Sequence, residues 1–256
     1  MGTRLANKTA LVTGATSNIG RAIAVAFAAE GAHVAVSGRS LERGAAVVEE
    51  IRSAGGRADF VATDLDGRAA TSGALAEQAT RALGGRVDIL VNNAGIFPGP
   101  TTTGTDEATF DQVYAVNVKA PFFLTASLAP AMIENGGGAI INLGSWVARL
   151  GIPVGTLYAS TKGAMETLTR SWAAEFGPSG VRVNAIAPGV VQARIPGATE
   201  PHPAQAMMNG TPAGRIGDPE AIAHAAVYLA SDEAAFVHGS VIDVDGGRVG
   251  AAVIAA

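Results

Sequence analysis

The chain has no cysteine among its 256 residues, which excludes disulfides, zinc thiolate sites and thiol nucleophiles and leaves the redox compartment open. It also lacks a basic excess. Lys plus Arg number 18 against 22 for Asp plus Glu, a formal net charge of −4 at pH 7, so no overall positive field is available to hold nucleic acid or an anionic membrane. Histidine is scarce, and the four present, at 33, 202, 224 and 238, show no metal-binding spacing. Long apolar runs are missing too. The opening MGTRLANKTALVTG is too weakly apolar for a signal peptide, and no stretch reaches the ~20 residues of a membrane-spanning helix. Ala6 stands where N-myristoylation requires Ser or Thr. The expectation is a soluble cytoplasmic protein without metal, membrane or nucleic-acid partner.

What is present is a rhythm. Short β-branched runs alternate with longer Ala-rich segments, which predicts βα units around a parallel sheet buried on both faces. Strands are expected at about 8–13, 33–37, 58–63, 87–91, 138–144, 181–186 and 239–244, with helices near 19–30, 41–54, 68–84, 106–132, 156–176 and 218–230. This is a seven-stranded, doubly wound α/β sheet of Rossmann type, in one domain over 1–256. Ligands in such sheets bind beyond the carboxyl ends of the strands. The stretch 189–219 has no clear periodicity and reads as a substrate loop or lid.

After the first strand comes TGATSNIG. A strand, a glycine turn and a helix start are what a phosphate site requires: bare backbone approaches a pyrophosphate, and the first helical amides supply donors and partial positive charge. Gly14, Thr16, Ser17, Asn18 and Ile19 are the expected cradle. Asn18 stands where glycine is common, and asparagine tolerates a left-handed backbone and can cap a helix. The second strand ends in Ser37-Gly38-Arg39. A carboxylate there would take the ribose 2′-hydroxyl of NAD(H), whereas Arg39, helped by the Thr16 and Ser17 hydroxyls, suits the 2′-phosphate of NADP(H).

Further motifs follow: Asp64-Leu65, Asn92-Asn93-Ala94-Gly95, Asn117, Ser145 and Tyr158-Ala-Ser-Thr-Lys162. In order and spacing they resemble the short-chain dehydrogenase/reductase family, from Lys8 to about Gly247. The resemblance implies that Asp64 and the Leu65 amide bind adenine and that Asn93, Ala94 and Gly95 line the adenosine ribose. It also implies that Pro188 and Gly189 pack beside the nicotinamide, with the Val191 amide on its carboxamide. Asn117, Ser145, Tyr158 and Lys162 become the catalytic set, on a ketone or secondary alcohol. The family often has Thr where Ala193 stands here, which removes one cofactor contact.

The chemistry also follows from the residues. A cation four residues after a tyrosine shares its helix face and favours the phenolate, so Lys162 is expected to bring the Tyr158 pKa down. A hydroxyl at Ser145 can support negative charge on a carbonyl oxygen. Pro121 has no amide hydrogen for the carbonyl of Asn117, which predicts a bent helix with that carbonyl freed.

The substrate wall is expected from Trp146, Val147, Leu150, Val154, Leu157, Val190 and Ile195, with Phe97, Met207 and Met208 beside it, and favours a largely apolar small molecule. The pattern also resembles 3-oxoacyl-(acyl-carrier-protein) reductases. The turn Glu134-Asn135-Gly136-Gly137-Gly138 lacks the basic residues that an acidic carrier would need, which ranks that reading second. A cofactor-binding sensor without turnover is the reading from another class, and it predicts a damaged catalytic set. Family members pair the helices at 106–132 and 156–176, so a homotetramer or homodimer is expected, and the apolar tail 249–256 is suited to covering a neighbour.

Overall fold

A computed structural model of the chain describes residues 2–99, 101–153, 155–192 and 203–252. Alternation along each strand sorts side chains to two faces. In β1 (Thr9–Val12), Ala10 and Val12 enter one core layer and Leu11 the other. The same division runs through β2 (His33–Gly38), β4 (Ile89–Asn92) and β5 (Gly138–Leu143). Strands β3 (Arg57–Ala62), β6 (Val181–Pro188) and β7 (Val241–Val244) complete the sheet. All pairings are parallel, in the order β3-β2-β1-β4-β5-β6-β7.

One layer is closed by α1 (Asn18–Ala29), α2 (Leu41–Ser53) and α7 (Pro219–Ala230) through Ile23, Phe27, Ile51, Ile222 and Leu229. The other is closed by α3 (Ala69–Ala82), α5 (Ala120–Glu134) and α6 (Thr156–Phe176) through Leu75, Leu124, Leu128, Met165 and Trp172. Each fully buried aliphatic side chain contributes about 1.5–3 kcal/mol, which explains why a chain without disulfides holds together.

The helix expected over 106–132 is divided. It runs as α4 (Glu107–Tyr114), a five-residue π turn (Ala115–Lys119) and α5. Pro121 sits at the first turn of α5 and cannot donate to residue 117, and the Ala120 amide instead reaches the Ala115 carbonyl. Together these segments make 28 residues, long and apolar enough by length and composition to cross a bilayer, which corrects the expectation that no such stretch exists. Leu124, Leu128 and Met132 of this run are buried against the sheet, so core packing accounts for its apolar character.

Candidate active site

The sheet order reverses between β1 and β4, which opens a crevice at their carboxyl ends. Thr13 stitches the two sides together. Its Oγ1 accepts from the amides of Asn93 and Ala94, both at 3.0 Å, and donates to the Val91 carbonyl. Asn93 Nδ2 returns the contact by donating to the carbonyls of Thr13 and Gly14. The closeness dictates the glycines. Gly14 has φ +62°, and a Cβ on it would lie 2.9 Å from the Ala94 Cα; a Cβ on Gly20 would strike the Gly14 carbonyl and Asn93 Nδ2. Asn18 has φ +45°, the left-handed conformation that the sequence suggested. It does not cap the helix: Ser17 holds that position, with no side-chain capping bond. The first amides of α1 therefore stay directed at the crevice.

This turn forms one wall of a cavity of about 680 Å³. Gly14, Thr16, Ser17, Asn18, Ile19, Arg39, Asp64, Leu65, Asn93, Ala94, Gly95, Tyr158 and Lys162 all line it. A bare glycine cradle, free helical amides and a cavity running from β2 to α6 fit a dinucleotide. At its outer end Arg39 is exposed and lies 3.8 Å from Asp64, itself exposed, a separation at which a solvated pair holds weakly. Arg43 lines the same end. Sequence reading passed over it because a charged residue in the first turns of α2 looks like an ordinary solvated face.

The other end is built by β5 and α6. Ser145 follows β5 and is buried, with its Oγ accepting from the Val147 amide at 3.4 Å. Tyr158 and Lys162 share a face of α6. Burial pushes the Tyr158 phenol up to about 12, opposed by a hydrogen bond with the Ser145 side chain. Phe97 packs edge-on to the phenol ring at 5.0 Å between centroids. Lys162 is buried, which brings its ammonium down to about 8. Its Nζ donates to the Leu143 carbonyl at 2.7 Å and lies 5.4 Å from the Tyr158 ring centroid. The expectation that Lys162 lowers the Tyr158 pKa is thus corrected: the ammonium faces the ring, and burial of the phenol dominates.

Asn117 lies in the π turn and ties the site together. Its Oδ1 accepts from the Ile96 amide at 2.8 Å, and its Nδ2 donates to the Ile96 carbonyl and to Thr161 Oγ1. Beneath it runs a buried relay that the sequence did not single out. Asn92 Nδ2 donates to Asn142 Oδ1, and Asn142 Nδ2 donates to Thr169 Oγ1, which locks β4, β5 and α6 in register.

The expected substrate wall assembles only in part. Phe97 is exposed at the cavity lining. Trp146 is instead buried, with the Arg248 guanidinium 5.2 Å from its ring centroid. Val147, Leu150, Leu157 and Val190 are partly exposed but are not among the cavity-lining residues. Met207 is exposed in a short 3-10 helix (Pro203–Met208) and Met208 is buried. Pro188 ends β6, and Gly189 passes so close to Asp245 that a Cβ would lie 2.6 Å from its Cα. Val191 bridges to Gly217, which pins both ends of the expected loop. Val154, Ala193, Ile195, the middle of that loop at 193–202 and the end of the tail at 253–256 lie outside the described residues. Among the described residues no cluster of metal-binding side chains occurs.

Residues 14–248 match a family model described as "Enoyl-(Acyl carrier protein) reductase". The chain is 36% identical over 252 residues to a 3-oxoacyl-(acyl-carrier-protein) reductase of Thermotoga maritima, covering 96% of this chain and 99% of that protein. A solved structure titled "short chain dehydrogenase/reductase family protein" is 44% identical with a TM-score of 0.86, covering 97% of this chain and 100% of that one. Another, of a 7α-hydroxysteroid dehydrogenase complexed with NADH and 7-oxo glycochenodeoxycholic acid, is 38% identical with a TM-score of 0.87 and covers 96% of each chain.

Proposed function

Because the chain belongs to the short-chain dehydrogenase/reductase family, whose members are nicotinamide-dependent oxidoreductases, we propose that it interconverts a ketone and a secondary alcohol on a largely apolar small molecule, using NADP(H) in preference to NAD(H). The observation that carries this is the meeting of Ser145, Tyr158 and Lys162 beside a cavity whose far end bears Arg39 and Arg43. When bound, the nicotinamide gives or takes the hydride. Ser145 donates a hydrogen bond to the substrate oxygen as charge gathers there. Tyr158 passes its proton to that oxygen in reduction and takes it back in oxidation. A phenol pushed up to about 12 is protonated at neutral pH, which favours the donor role. With the cofactor bound, Lys162 would hold the nicotinamide ribose, and the Asn117 carbonyl would anchor a water on the path from Lys162 to solvent.

Asp64 and the Leu65 amide would hold the adenine. Asn93, Ala94 and Gly95 would line its ribose, and Pro188, Gly189 and the Val191 amide would hold the nicotinamide. Arg39 and Arg43, both lining the cavity, support NADP(H), since charge-assisted contacts to a 2′-phosphate would be worth about 1.5–3 kcal/mol, or roughly ten- to hundredfold in affinity. Exposed Phe97 supports an apolar substrate. The segment 189–219 is the proposed lid. An apolar groove of about 290 Å³ between α5 and α6, lined by Phe122, Pro130, Ile133, Trp172 and Phe176, supports a homodimer paired across these helices and, with a second pairing, a homotetramer. An acyl-carrier-linked substrate is the second reading, favoured by the family description, but Glu134 and Asn135 at the turn before β5 offer an acidic carrier no cation.

The test is a binding and turnover series. Parent protein should bind NADPH at least tenfold more tightly than NADH, and Arg39→Leu should erase most of that difference. Arg39→Leu is preferable to a carboxylate at Gly38, because a Cβ there would lie 2.6 Å from Thr16 Cγ2. On a panel of ketones, alcohols and carrier-linked thioesters, Tyr158→Phe should lose most turnover with NADPH affinity kept. Parent-like activity in Tyr158→Phe would overturn the catalytic reading, NADH preference the cofactor reading, and a hundredfold preference for carrier-linked substrate the substrate reading.

A further inference from the structure

Glu166 is a buried carboxylate that the proposed chemistry does not use. It lies one helical turn beyond Lys162 on α6, so Tyr158, Lys162 and Glu166 follow one another along one face. Its side chain is 7% exposed. Oε1 rests against Gly144, where an added Cβ would lie 2.9 Å away, and among the described residues it has no hydrogen-bond partner. The Ser145 backbone N–H faces the carboxylate and acts to lower its pKa. On the other side Arg149 Nε lies 3.6 Å from Oε2, and the same guanidinium holds Asp243 of β7 through Nη1 at 2.9 Å and through Nη2.

A charge is not buried beside a strand end without cost. Here the carboxylate faces two things: the guanidinium of the loop that follows Ser145, at 3.6 Å, and the backbone N–H of Ser145. Gly144 gives the carboxylate room. We propose that Glu166 is a positioning residue for Ser145: with Arg149 and Asp243 it clamps the backbone of residues 144–149 to α6 and β7, and so fixes the Ser145 hydroxyl against the Tyr158 phenol. Ser145 and Tyr158 come from different elements, so their contact depends on how the end of β5 is seated on α6. The Lys162 bond to the Leu143 carbonyl is one fastening; Glu166 is the second, two residues further along the strand end. The groups facing Glu166 are Arg149 from the loop, Arg170 from α6, Asp243 from β7 and the Ser145 amide. Burial raises its pKa, Arg149 and Arg170 lower it, and Asp243 raises it.

The inference rests on the proposed roles of Ser145 and Tyr158, and its test has one arm that needs no turnover. Tyr158 is titrated by ultraviolet difference spectroscopy in the protein without substrate, with Tyr158→Phe subtracting the other two tyrosines, Tyr114 and Tyr228. In Glu166→Leu the Tyr158 titration should move to higher pH as the Ser145 contact loosens. With the best substrate from the panel, kcat should fall at least tenfold while NADPH affinity stays within threefold. Glu166→Gln keeps an acceptor oxygen of the same shape and should recover most of the loss. Arg149→Met, which leaves the carboxylate in place, should show a smaller loss of the same kind, and stands in if Glu166→Leu does not fold. An unmoved Tyr158 titration with parent-like kcat in Glu166→Leu, or in Arg149→Met as its stand-in, would overturn the proposal. A moved titration with Tyr158→Phe still active would retain the clamp and overturn the catalytic reading instead.

Discussion

Lys162 has its ordinary pKa of 10.5 lowered to about 8 by burial. Between those values the unfolded chain binds a proton that the folded protein has released, so stability rises with pH across that window. At about 1.36 kcal/mol per pH unit, going from pH 7.5 to 9.5 should add about 1–2 kcal/mol, and Lys162→Met should lose that rise. Urea titrations of both proteins at the two pH values measure it; equal pH slopes would show that the ammonium is not desolvated. Tyr158 acts in the opposite sense, but only between about 10 and 12, above this range. Much of the site was legible at this scale. The left-handed Asn18 follows from what asparagine tolerates, and the four-residue spacing of Tyr158 and Lys162 from helix geometry. Their mutual effect did not follow, because the desolvation of Tyr158 depends on its burial in the assembled fold, which local sequence does not reveal.

The π turn is legible in one residue and invisible in the rest. Pro121 announces that the Asn117 carbonyl loses its helical donor, but whether the helix bends, breaks or widens is decided by packing against α3 and α6. Pro121→Ala restores an N–H that can reach that carbonyl, and it also removes the ring of a buried residue. Stability should fall by about 1–2 kcal/mol as the buried ring carbons are lost, while kcat falls about tenfold as the proposed water anchor is taken up. Urea midpoints and steady-state rates read the two effects; an unchanged kcat would remove the Asn117 carbonyl from the mechanism. Trp146 shows the opposite failure. An apolar run after a strand reads as a pocket wall, yet the turn after β7 returns Arg248 over the indole, a contact between residues about a hundred positions apart.

Across the whole molecule, the alternation of strands and helices was enough to predict the layers, because both faces of a parallel sheet must be covered. The groove between α5 and α6 was less plain, since alanine-rich helices look alike whether they bury core or partner. Phe122 is 42% exposed there, and Phe122→Glu should place a charge in the proposed dimer contact. Sedimentation should then show monomer where the parent shows a dimer, or dimer where it shows a tetramer, and an unchanged mass would move the interface elsewhere. The seam between β1 and β4 has a practical consequence. Asn93, which lines the cavity, is bonded to Thr13, 80 positions away, so a molecule seated there holds together two parts of the chain that separate on unfolding. At a hundredfold excess over its Kd such a ligand adds about 2.7 kcal/mol to folding, or a rise of roughly 5–10 °C in Tm for a chain of this length. A melting curve with NADPH beside one with NADH at equal concentration therefore ranks the two before any substrate has been identified; a larger rise with NADH would count against the role given to Arg39.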